Sequence, residues 1–161
     1  MPAYKLVPVF IVTALAMGVP QASAETLMTE FTGPYKCLDI VNDGANNKVT
    51  MAECGNYSGQ NWQITQSGNG RYRLRTSFTG PDKCLDIVND GNNNKLQMAR
   101  CGNYSGQMWQ ISRMNDGSHK LKTDFTGSNK CLDIVNDGRN NNLTMAACGN
   151  YTGQMWIITD W

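Results

Sequence analysis

The stretch that decides the fold is Cys84-Leu-Asp-Ile-Val-Asn-Asp-Gly91, because the same eight residues stand at Cys37–Gly44 and again at Cys131–Gly138. Working outward from it, Phe78-Thr-Gly has copies at Phe31 and Phe125, and Gln107-Met-Trp109 has copies at Gln60-Asn-Trp62 and Gln154-Met-Trp156. The period is 47 residues, and residues 72–114 and 119–161 are identical at 28 of 43 positions. Repetition at such a period marks an architecture built from one supersecondary unit used several times. The units run 25–71, 72–118 and 119–161.

Ahead of the first unit, Leu6–Val19 is an uncharged apolar run that follows Lys5 and precedes Ala22-Ser-Ala24. That order predicts a secretory signal peptide over residues 1–24, cut after Ala24. The run is too short to cross a bilayer, which takes ~20 residues, so no membrane span is expected. Glu25, the first residue after the cut, also opens the first repeat. The expected location is extracellular.

Export makes the six cysteines, at 37, 54, 84, 101, 131 and 148, a disulfide framework. Six cysteines allow 15 pairings. Three equivalent units most simply close three equivalent loops, which selects Cys37–Cys54, Cys84–Cys101 and Cys131–Cys148. Each such loop adds ~3 kcal/mol in the chain-entropy model.

Within one unit the pattern is that of short strands. Tyr72–Thr76 alternates polar and apolar, Cys84–Val88 is apolar and β-branched, Lys95–Cys101 alternates again, and Met108–Ser112 closes the unit. Four strands per unit give about twelve. Asn42-Asp-Gly44 and its copies read as hairpin turns, and Asn46-Asn47, Asn92–Asn94 and Asn140–Asn142 as solvated loop. A unit this small cannot bury a face alone. Three are expected to pack with pseudo-threefold symmetry around layers formed by Leu27/Leu74/Leu121, Phe31/Phe78/Phe125, Leu38/Leu85/Leu132 and Ile64/Ile111/Ile158.

With 14 Lys and Arg against 13 Asp and Glu, the chain is electrically balanced. Nucleic acid is therefore not an expected partner. The single histidine, His119, is read as a surface residue, and one imidazole excludes a multi-histidine metal site. No metal or cofactor is expected. A glycosidase needs two carboxyls in different environments ~5–9.5 Å apart, whereas each unit offers one recurring candidate, Asp39, Asp86 or Asp133. The reading is not an enzyme.

Three units that each carry Cys-Leu-Asp-Ile, a second Cys and Gln-x-Trp resemble the ricin-type (R-type, QxW) β-trefoil lectins across residues 25–161. The resemblance implies an all-β, β-trefoil fold and a carbohydrate-binding role. It implies that Asp39, Asp86 and Asp133 bond sugar hydroxyls, that Gln60, Gln107 and Gln154 orient the polar side of each site, and that Trp62, Trp109 and Trp156 lie in the core. Two positions depart from the family pattern. The stacking aromatic of galactose-binding members is replaced by Ala52, Ala99 and Ala146, and the Asn before the Gln by Gly59, Gly106 and Gly153.

A saccharide site needs fixed donors and acceptors beside a flat apolar surface for the C–H face of the ring. Gly55-Asn-Tyr-Ser-Gly59 and its copies supply both types. Tyr57, Tyr104 and Tyr151 are expected as substitute platforms, with Asn56, Asn103 and Asn150 as supporting amides. For the tyrosines a packed role, and for the Asp residues a loop-bracing role, remain alternatives. Asn56, Asn103, Asn142 and Asn150 also begin N-glycosylation sequons. Multivalent glycan or polysaccharide binding is the leading expectation. A trefoil that binds protein, as a toxin accessory subunit or hydrolase inhibitor does, is the other, and a glycoprotein, toxin or enzyme partner goes with it.

Overall fold

The computed structural model describes residues 24–161; the expected signal peptide falls, up to residue 23, outside the described residues. Twelve strands follow one another: β1 (Leu27–Thr29), β2 (Lys36–Ile40), β3 (Val49–Glu53), β4 (Trp62–Gly68), β5 (Arg71–Thr76), β6 (Lys83–Ile87), β7 (Leu96–Arg100), β8 (Trp109–Arg113), β9 (His119–Thr123), β10 (Lys130–Ile134), β11 (Leu143–Ala147) and β12 (Trp156–Ile158). Each unit contributes four, at the places where the sequence alternates.

Six of them form one antiparallel sheet in the order β1-β12-β9-β8-β5-β4. A bridge between Glu25 and Trp62 joins its two edges, so the sheet closes into a barrel. Closure removes the exposed edges that would otherwise template pairing with another chain. The remaining strands form three hairpins, β2–β3, β6–β7 and β10–β11. Barrel and hairpins together make a β-trefoil.

The core is layered as the repeat demands. Leu27, Leu74 and Leu121, Leu38, Leu85 and Leu132, and Trp62, Trp109 and Trp156 are all fully buried. Each Trp donates its indole N–H to a carbonyl of its own unit, Leu38, Leu85 or Leu132, at 2.8–2.9 Å. A buried indole needs that partner, since an unpaired N–H in an apolar interior is costly. Met51, Met98 and Met145 form a further buried layer that the sequence reading did not include. The phenylalanines depart from expectation: Phe31, Phe78 and Phe125 are only partly buried, as are Ile64 and Ile111.

The turns also differ from the sequence reading. The hairpin connection is the eight-residue loop 41–48, not a two-residue turn, and Val41 N–H bonds Lys48 O across its base. The asparagine-rich segment is more than solvated loop. Asn47, Asn94 and Asn141 accept a hydrogen bond from the lysine of the next unit, Lys83, Lys130 and Lys36, while their carbonyls accept the N–H of Met98, Met145 and Met51. Three hairpins are thereby clasped head to tail in a ring.

His119 is buried rather than on the surface. It occupies the barrel position equivalent to Glu25 and Tyr72, which places it inward, and Trp161 lies edge-on to both it and Tyr72. Burial lowers its pKa, partly opposed by the backbone at Trp156. All six cysteines pair within their own units, 17 residues apart, in the scheme that the repeat favours.

Candidate carbohydrate site

The site starts from a carboxylate at the end of a strand. Asp39 stands on β2, and its Oδ1 accepts the N–H of Ile40 at 2.7 Å while its Oδ2 accepts the Nε2–H of Gln60 at 2.9 Å. Asp86 and Asp133 repeat this with Gln107 and Gln154 at 2.9 and 2.8 Å. Gln60 gives its second amide hydrogen to Glu53 O at 2.8 Å and receives Gly55 N–H on Oε1 at 2.9 Å. Every strong hydrogen-bonding group of this buried glutamine except one lone pair is thus engaged inside the protein. The glutamines sit behind the carboxylates and fix them; the carboxylates keep free lone pairs toward the surface.

Two glycines set the geometry. A Cβ at Gly59 would lie 2.2 Å from Asp39 Oδ1, and at Gly106 and Gly153 the distances to Asp86 and Asp133 are 2.3 and 2.4 Å. With the Asp carboxylate in this position, each of these sites has room for glycine and not for a residue with a Cβ. Likewise, a Cβ at Gly55 would lie 2.4 Å from the ring of Tyr57. The ring rests against bare backbone yet stays 59% exposed, and Tyr104 and Tyr151 do the same at 63% and 62%. Packing holds each ring in place without covering it.

The far wall comes from the following unit. Phe78 donates its backbone N–H to Ser58 O at 3.2 Å and lines a cleft of about 350 Å³ with Asp39, Asn42, Asn56 and Tyr57. Phe125 closes the second cleft, of about 400 Å³, beside Asp86, Asn89, Asn103 and Tyr104. The third, of about 370 Å³, is closed by Phe31 from the first unit beside Asp133, Asn136, Asn150 and Tyr151. The threonine before each Phe turns the chain: Thr76 Oγ1 accepts the Thr79 N–H, with the same bond at Thr29 and Thr123.

The structure thus brings Asp, Asn and Tyr of each unit to the lining of one cleft and holds Gln beneath it. Sequence reading missed the phenylalanines and Asn42, Asn89 and Asn136. The only signal for them was that they recur at the repeat period. Ala52, Ala99 and Ala146 pair with Cys37, Cys84 and Cys131 on the hairpins and line none of these clefts. The flat surface is supplied instead from the loop.

A β-trefoil barrel with three equivalent clefts, each combining a braced carboxylate, amides and an exposed ring, defines the class: a small module with symmetric surface sites. Among curated proteins no sequence matches the chain. Solved structures match its fold. They include a designed threefold-symmetric protein, ThreeFoil (TM-score 0.74, 23% identity, 85% of this chain and 98% of that one). An earthworm R-type lectin C-half in complex with GalNAc matches at TM-score 0.63 and 17% identity, over 84% of this chain and 97% of that one. An exo-β-1,3-galactanase from Clostridium thermocellum matches at TM-score 0.72 and 19% identity, over 87% of this chain but 30% of that one. The model of the ricin-type beta-trefoil lectin domain matches residues 26–156. The chain belongs to that family, whose domain is a carbohydrate-binding, non-catalytic module.

Proposed function

We propose that the protein is a secreted lectin with three shallow saccharide sites, one per unit, that together bind clustered glycans. The observation that carries this is the exposed tyrosine ring, held against glycine backbone beside a braced aspartate, three times over. In each cleft the carboxylate accepts from vicinal hydroxyls, the Asn amide donates and accepts alongside it, and the ring takes the apolar face of the sugar. Phe from the next unit walls the far side. Gln60, Gln107 and Gln154 act through the aspartates they hold.

Clefts this open favour modest affinity for a single residue, and one rigid body bearing three of them converts it to avidity. Three disulfides fit an oxidising compartment, in line with removal of residues 1–24 on export. Among the described residues no helix is long and apolar enough to cross a membrane.

The test is a glycan array with the protein and with the Tyr57/Tyr104/Tyr151→Ala variant. Loss of stacking is expected to weaken each site about five- to tenfold, on the scale of an oriented aromatic contact worth ~1–1.5 kcal/mol. Stability should change little because the rings are exposed. Unchanged binding in the variant removes the platform role, and an array blank across neutral and acidic glycans removes the lectin reading.

A further inference from the structure

Beside the third cleft lies a second depression of about 280 Å³, lined by Lys120, Lys122, Met114, Gly149 and Asn150. Asn150 also lines the saccharide cleft, so the two share a wall. Lys120 and Lys122 stand two apart on β9 and therefore on the same, outward face of the barrel. Lys120 is only 6% exposed, and its ammonium donates to Gly149 O and, at 3.4 Å, to Gln154 Oε1. These acceptors are neutral. Among the described residues, no carboxylate lies at ion-pair distance from Lys120 or Lys122. Asp133 and, more weakly, Asp116 attract Lys120 from further off.

The second unit places different cations at the same strand positions. Arg73 and Arg75 occupy the equivalent positions on β5, and Arg73 Nη2 donates to Gly102 O at 3.1 Å and to Asn103 Oδ1 at 2.9 Å, the Asn that lines the second cleft. The Nε–H groups of both arginines are shielded from water and meet no acceptor. Neither arginine forms an ion pair among the described residues. In the first unit the same two positions are Thr26 and Met28. The uneven charge extends further: residues 72–118 hold six Lys and Arg against four Asp and Glu, residues 25–71 three against five.

Buried or half-buried cations without carboxylate partners are expensive unless an anion completes them. Resting on the lectin reading, we propose that the second and third sites, but not the first, carry an anion-binding annexe. It takes a sulfate or carboxylate group borne by the sugar residue next to the one in the cleft. Arg73 and Arg75 offer planar donor forks that suit either group, and Lys120 with Lys122 offers paired point charges. The protein is then a reader of acidic glycans despite a balanced total charge, and its three sites differ in specificity.

The test uses the whole protein on an array of matched oligosaccharides in neutral, O-sulfated and sialylated or uronic-acid forms. Wild type is expected to prefer one or both acidic forms over the neutral parent by about tenfold at ~0.05 M salt, and by much less at ~0.5 M. Which acidic form is preferred separates sulfate from carboxylate. In Arg75→Gln/Lys122→Gln, which spares the buried Lys120 and the Arg73 that bonds Gly102 and Asn103, the acidic-to-neutral ratio should fall below about threefold. A Lys120→Gln variant checked by near-ultraviolet circular dichroism provides the second arm. Equal binding of neutral and acidic forms by wild type overturns the annexe and leaves the lectin reading standing. A ratio that survives in the folded variants overturns it as well. No binding to any form overturns both.

Discussion

The inner face of the three clefts and the barrel strand beside them follow opposite rules. On the inner face the Asp–Gln bonds measure 2.9, 2.9 and 2.8 Å, and each Asp fits against a glycine that could carry no Cβ. On the strand, the equivalent pairs are Thr26 and Met28, Arg73 and Arg75, and Lys120 and Lys122. The glutamines are buried and hydrogen-bonded to the aspartates, so a change in an Asp leaves a buried amide unpaired at a cost of about 1–3 kcal/mol. The strand pairs lie on the outer face of the barrel, and none of them is tied into a side-chain bond that recurs in all three units. Threefold order survives where groups are coupled and drifts where they are not. Specificity is free to diverge on the strand while the scaffold stays uniform.

The strongest way to break this contrast is to remove a shared part of the scaffold. Trp109 is fully buried and anchored on Leu85 O at 2.9 Å. Trp109→Ala is expected to cost about 3–5 kcal/mol. Since each unit supplies the far wall of its neighbour's cleft, the loss should appear as one cooperative urea transition moved to lower denaturant. Two separate transitions, with one repeat melting alone, would show that the units are independent and the coupling argument wrong.

That coupling is also what the sequence conceals. Strands, disulfides and the Leu and Trp layers recur inside each unit, so period and spacing expose them. Phe78 reads as core by the same logic, but its position is set by Ser58 of the preceding unit, across a boundary that the repeat pattern treats as a seam. Asn47, Asn94 and Asn141 read as turn residues because their composition is that of a loop; only the ring of three hairpins gives them lysine partners. His119 lacks identical copies, which reads as surface drift, yet it is buried at the position that Glu25 and Tyr72 occupy in the other units. The asymmetric pairs Arg73/Arg75 and Lys120/Lys122 were visible as letters, but nothing along the chain places them beside a cleft.

A smaller perturbation sharpens the comparison at a single site. In Gly106→Ala the new Cβ would meet Asp86 Oδ1 at 2.3 Å and force the carboxylate off Gln107. The expected cost in stability is about 1–3 kcal/mol. Calorimetric titration with a neutral glycan should then count two sites per molecule where wild type counts three. An unchanged count would mean that the carboxylate position is not essential to binding, and that the tyrosine and the asparagines suffice.

The smallest effect belongs to the loop carboxylates, where both rules meet in one residue. Asp43, Asp90 and Asp137 all have lowered pKa values, first because each accepts the backbone N–H three residues on, from Asn46, Asn93 or Asn140. Their outer partners differ: Lys48 at 3.5 Å, Lys95 at 3.2 Å, and for Asp137 the neutral amide of Asn142 at 2.9 Å. A carboxyl whose folded pKa lies below its ordinary 3.8 stabilises the fold above that value and loses this contribution as pH falls through the folded pKa. The Asp43→Asn/Asp90→Asn/Asp137→Asn variant should therefore melt slightly below wild type at neutral pH, with the gap closing below about pH 4. The single variants separate the two rules. Added salt should shrink the effect of Asp43→Asn and Asp90→Asn, whose lysine partners are screened, and leave that of Asp137→Asn nearly unchanged. If all three respond alike to salt, the outer partners contribute nothing measurable and the loops, unlike the barrel strands, have kept threefold behaviour in spite of their changed residues.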